Sequence, residues 1–203
     1  MRSRLPCRLG TALLALVALS TVSAAYQQPL SPESVREAYF LGRHHEQADF
    51  FLGRYSQVLS SWSKQLGIVK VQLLTPYAQI VKNSRYDMVN QNSVDIDQEY
   101  PRRVLPVIVR VWFNFPVVPD ASYVEPDRLA RHSSISVSQS HLLRYSNVTY
   151  STLYTGSKRP WPYGVEAELT FSASQFSSAP VSIAISVPGG QAAKAIFDLS
   201  QLN

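Results

Sequence analysis

The sequence predicts an α+β fold, an N-terminal helix or helical hairpin packed on an antiparallel β-sandwich. Three observations predict it. From Leu30 to Leu66 apolar side chains recur at steps of three and four, the period of a helix. Beyond Gly67 the period falls to two. Proline, glycine and serine clusters then punctuate the chain at short intervals, as between the strands of a sandwich.

The chain begins with a basic stretch, Met1-Arg2-Ser3-Arg4 and Arg8, followed by the apolar run Leu9 to Leu19 and the small residues Val22-Ser23-Ala24-Ala25. This order matches a secretory signal peptide, with cleavage expected after Ala24 or Ala25. The run is too short for a membrane span, which needs ~20 apolar residues. The expected division is residues 1–24 as signal, 25–66 as a helical segment and 67–203 as a β-sandwich. The single cysteine, Cys7, lies upstream of the apolar run. The mature chain is therefore expected to be held by an apolar core without disulfides. Three of the five excess positive charges, Arg2, Arg4 and Arg8, also belong to the signal. No nucleic-acid partner is inferred from the remaining charge.

The helix start is marked four times over. Ser31 is placed to accept from first-turn amides, and Pro32 falls where its missing N–H is no loss. Glu33 complements the helix dipole, and Leu30 and Val35 are spaced for a hydrophobic staple. The stripe then runs through Ala38, Leu41, His45, Ala48, Leu52, Tyr55, Leu59, Trp62 and Leu66, widened by Phe40, Phe51 and Val58. Tyr39-Phe40-Leu41-Gly42-Arg43 is echoed eleven residues later by Phe50-Phe51-Leu52-Gly53-Arg54. On one continuous helix both copies would face the same way. Gly42 and Gly53 leave open a break between two helices. Phe40 and Phe51 either pack on the β body or form a seam for a partner.

In the body, Ile68 to Leu74 reads as a strand, Thr75-Pro76 as a break and Tyr77 to Lys82 as a second strand. Val104 to Phe115 is the strongest strand pattern, with Val107, Val109, Val111 and Phe113 on one face. Residues 119–131 read as a loop with a helical turn, then Ser134 to Ser140 and Leu142 to Tyr154 as strands. Val165, Ala167, Leu169 and Phe171 alternate with polar residues, as do Val181, Ile183, Ile185 and Val187. Pro188-Gly189-Gly190 reads as a hairpin turn into a last strand, Ala193 to Leu199.

The segment Ser31 to Gly42 and the closing Phe197-Asp198-Leu199-Ser200 resemble exported bacterial proteins of unknown function. The resemblance implies a bacterial envelope setting and assigns no activity.

Four groups invite a chemical reading. The loop Lys158-Arg159-Pro160-Trp161-Pro162-Tyr163-Gly164 offers two cations and two aromatic faces, suited to a sugar ring or a protein partner. Its alternative is that Trp161 folds back to plug the sandwich. His45 and Asp49 share a helix face but lack a third ligand, so no metal is expected there. Asp95, Asp97 and Glu99 alternate along one side, where an oxygen-rich Ca²⁺ site could form. With no glycine at the sixth position and Pro101 close behind, a solvated acidic edge that discourages strand pairing is the expected one of the two. Glu166 and Glu168 could supply paired carboxylates, yet no nucleophile elbow, phosphate loop or zinc-protease motif accompanies them.

The expected protein is exported and non-enzymatic, needs no cofactor, and has a structural or protein-interaction role in the envelope. Its binding residues are expected among Phe40, Phe51, Lys158, Arg159, Trp161 and Tyr163, with an envelope protein or a glycan as partner. A carbohydrate- or small-ligand-binding sandwich is the alternative, and a secreted hydrolase the third reading.

Overall fold

The computed structural model describes residues 30–62, 67–90, 105–114, 126–156, 162–189 and 192–202. The expected signal segment 1–24, the expected acidic edge at Asp95, Asp97 and Glu99, and Lys158, Arg159 and Trp161 lie outside them.

Helix α1 (Pro32–Arg43) starts as its sequence dictates. The Ser31 hydroxyl accepts from the Ser34 amide at 3.1 Å, with Pro32 at the first helical position. The helix ends at His44, whose extended backbone (φ −97°, ψ 96°) also opens α2 (His45–Arg54). The break falls at neither glycine. Gly42 lies inside α1 and Gly53 in the last turn of α2.

The predicted helical stripe through Leu66 does not hold beyond Arg54. The chain turns at Tyr55 and Ser56–Trp62 forms strand β1. This strand pairs antiparallel with β2 (Gly67–Leu74), Gln57 opposite Val71 and Val58 opposite Lys70. Tyr55, Leu59 and Trp62 fit a helical spacing, but a neighbouring strand supplies the competing backbone partners, and that tertiary pairing decides.

A second correction follows β2. Residues Tyr77 to Lys82, expected as a strand, belong to α3 (Pro76–Val89). Thr75 is its N-cap, accepting from the Ala78 amide at 3.3 Å, and Pro76 takes the first position. The pair that reads as a strand break repeats the Ser31-Pro32 device. Helix α3 packs against α1 and α2, so the helical layer draws on both sides of β1 and β2. At the α1–α3 contact the Ser84 hydroxyl donates to the Tyr39 carbonyl at 2.6 Å.

The remaining elements are β3 (Val107–Asn114), α4 (Pro126–Arg131), β4 (Ser134–Ser138), β5 (Tyr145–Tyr154), β6 (Pro162–Phe171), β7 (Val181–Ser186) and β8 (Ala192–Phe197). They complete two antiparallel sheets in a sandwich-like arrangement. One has the order β1-β2-β3-β6-β5, the other β4-β7-β8. The strand alternation sorts the faces as expected. Val107, Val109, Val111 and Phe113 are buried, each opposite a buried residue of β6: Phe171, Leu169, Ala167 and Val165. Val181, Ile183 and Ile185 of β7 join the same core. The β7–β8 hairpin turns through Pro188 and Gly189, whose φ of +100° favours glycine.

Gln57 joins the sheets. Its side-chain amide donates to the Ile196 carbonyl and accepts from the Ile196 amide, so one side chain acts as a backbone partner for β8.

Candidate functional site

Helices α1 and α2 meet at His44 and leave a cleft of ≈ 490 Å³, lined by Glu37, Leu41, Glu46, Gln47, Phe50, Phe51, Arg54 and Tyr77. Its floor is rigid. Phe51 and Tyr77 are each 6% exposed, with ring centroids 5.5 Å apart, and Tyr55 stacks behind Phe51 at 5.0 Å. Its rim is the opposite: Phe50 is 79% exposed.

The break at His44 determines which aromatics serve this site. In the eleven-residue echo, Tyr39 corresponds to Phe50 and Phe40 to Phe51. Burial is exchanged between the copies. Tyr39 is buried and Phe40 is exposed in α1, whereas Phe50 is exposed and Phe51 buried in α2. Restarting the helix at His45 changes the phase of the second copy, so identical spacing no longer means identical facing. Phe40 does not line the cleft; its ring contacts Tyr39 edge-on at 5.8 Å.

The cleft mixes charge with its apolar surface. Burial, then the negative charge of Glu37, keep the Tyr77 hydroxyl protonated well above the ordinary tyrosine range, and its hydrogen bond to Glu37 adds to this. Glu37 itself remains exposed. Glu46 sits in the first turn of α2, where the helix dipole favours an anion. Leu41, Phe50 and Phe51 supply apolar wall. Such an arrangement can hold an apolar or cationic group against carboxylate acceptors. Glu37 and Tyr77 are 40 positions apart and become neighbours only because residues 76–89 are helical.

Two other clusters have visible partners. His45 Nδ1 lies 3.3 Å from Asp49 Oδ2, and Arg85 of α3 pairs with Asp49 and approaches His45 Nε2 at 3.1 Å. This is a bridge between α2 and α3, and among the described residues no group of three or more metal-ligating side chains assembles.

On the outer face of the large sheet, Arg110 reaches Glu168 at 2.7 Å and Glu166 at 3.5 Å. Lys70 covers Trp112 at 5.2 Å. Lys82 of α3 approaches the same charges; burial first, then Arg110, lower its pKa, while Glu166 and Glu168 oppose that shift. The carboxylate pair is thus clamped by a guanidinium and joins β3 to β6.

Of the predicted loop, Pro162, Tyr163 and Gly164 are described, and they open strand β6 rather than continuing a loop, because they pair with the end of β5. Tyr163 is 40% exposed at the start of β6, and Tyr154, 54% exposed, lies at the adjoining end of β5. Compared with family models, curated proteins and solved structures, this chain matches none. The fold and cleft define an α+β sandwich-like protein with an aromatic, acid-rimmed cleft in its helical layer.

Proposed function

We propose that this is an exported, non-enzymatic protein of the bacterial envelope that binds another protein through the α1–α2 cleft. The observation that carries the reading is Phe50, an aromatic left 79% exposed beside a preformed floor of Phe51 and Tyr77. Burying a phenylalanine is worth about 1.5–3 kcal/mol, so a partner that covers Phe50 gains a central anchor. The basic and apolar N-terminal pattern supports export.

The test is capture of partners by the tagged protein from mildly cross-linked envelopes, run beside Phe50→Asp. One or two recurrent partners should be lost with the variant, while its thermal midpoint stays near that of the parent because Phe50 contributes little buried surface. Partners indifferent to Phe50→Asp, or no partner, would overturn the reading.

A second reading rests on Tyr154 and Tyr163, exposed together where β5 and β6 adjoin residues 157–161. Flat aromatic faces there suit stacking on a sugar ring. It requires glycan retention that is abolished by Trp161→Ala or Tyr163→Ala with folding intact.

A further inference from the structure

We infer that the α1–α2 cleft accepts a basic side chain of the partner, its alkyl stem on Phe50 and Phe51 and its cationic head between Glu37 and Glu46. This rests on the docking reading above and adds the chemistry of the docked group.

The cleft lies within the roughly 300–1,000 Å³ of small-ligand sites. Its charged lining is two carboxylates against one guanidinium, that of Arg54. An anionic group would meet Glu37 and Glu46 and be repelled. A neutral apolar group would cover the aromatics but strip water from carboxylates without replacing its hydrogen bonds. A lysine or arginine side chain satisfies both parts of the lining. Its methylenes lie along Leu41, Phe50 and Phe51, and its N–H groups donate to the carboxylates. The rings also attract a cation to their faces.

The probe is n-butylammonium, which carries a lysine stem and head, compared with 1-butanol and butyrate at constant ionic strength. Amide spectra of the purified, isotope-labelled protein should show saturable shifts at Leu41, Gln47, Phe50 and Phe51 with n-butylammonium. Binding should be about tenfold weaker for 1-butanol and without saturation for butyrate. Glu37→Gln and Glu46→Gln, both at exposed positions, should each weaken n-butylammonium by about fivefold or more while leaving distant resonances in place. Equal binding of 1-butanol and n-butylammonium, or indifference to both carboxamide variants, overturns the inference. If partner capture still depends on Phe50 in that case, docking stands and only its cationic chemistry falls. If capture ignores Phe50→Asp, both fall.

Discussion

Gly42 and Gly53 occupy matching places in the eleven-residue echo and meet different surroundings. A Cβ on Gly42 would collide with the Val81 carbonyl and stand 2.8 Å from Ser84 Cβ, where α1 crosses α3. A Cβ on Gly53 would meet nothing within 4 Å. Alanine substitution should therefore have opposite signs at the two positions. Gly42→Ala should destabilise by about 1–3 kcal/mol, since overpacking outweighs the roughly 1 kcal/mol helix-propensity gain. Gly53→Ala should stabilise by up to about 1 kcal/mol. Urea midpoints read both, and equal effects would refute the close α1–α3 contact. Gln57 offers a second test at this scale. Replacing it with Ala removes both bonds to Ile196 and should cost about 1 kcal/mol, without altering either sheet.

Among the described residues, two helices begin with a hydroxyl residue followed by proline, and the caps differ in burial. Thr75 is completely buried, whereas Ser31 is partly exposed and shares its hydroxyl with Ser34. Losing either cap costs typically about 1 kcal/mol. Thr75→Ala should fall at the upper end, near ~2 kcal/mol, and Ser31→Ala near ~0.5 kcal/mol, because water replaces the lost acceptor only where it can reach. A denaturant midpoint shift for Ser31→Ala as large as that for Thr75→Ala would contradict this. The same pair of caps shows what a sequence discloses. Ser31-Pro32 is legible because a helical stripe follows it. Thr75-Pro76 is masked by a strand before it and by Tyr77, Ile80 and Val81, which suit either period. Strands β3, β6 and β7 are legible because each alternates against one core. Strand β1 is not, because its ladder is supplied by β2 and its apolar spacing imitates a helix. The cleft needed still more. Phe51 stands out as an apolar stripe member, but its place on the floor, and Phe50 on the rim, follow from the phase change at His44. Tyr77 enters only once α3 is known to be a helix.

Tyr55 ties the molecule together from end to end. It sits between α2 and β1, packs on Phe51, accepts from the Leu73 amide through its carbonyl at 2.9 Å, and donates its hydroxyl to the Leu202 carbonyl at 2.7 Å. Helical layer, large sheet and the last described residues thus converge on one residue, which is completely buried. Burial pushes its pKa from 10.0 up to about 12, although a hydrogen bond with Thr75 and the nearby charge of Arg54 oppose the shift. The folded protein holds this proton where the unfolded chain has released it, so stability is full below pH 10 and falls between pH 10 and 12. A two-unit shift corresponds to about 3 kcal/mol over that window. Tyr77 acts in the same direction, while Lys82, with its lowered pKa, favours the fold as pH rises towards 10.5. Comparing Tyr55→Phe with the parent cancels Lys82 and all of the Tyr77 shift except the smaller part that Tyr55 itself contributes, which acts in the same direction. At pH 7 the variant should be less stable by about 1 kcal/mol, having lost the bond to Leu202. Above pH 10 it no longer has a buried phenol to ionise, so its stability should decline less steeply. The two curves should cross near pH 11 and leave the variant the more stable at pH 12. Urea unfolding from pH 7 to 12 measures this directly. Parallel curves would mean that Tyr55 ionises in the folded protein as freely as in the unfolded chain, and that water already reaches the junction of the helical layer with the C-terminus.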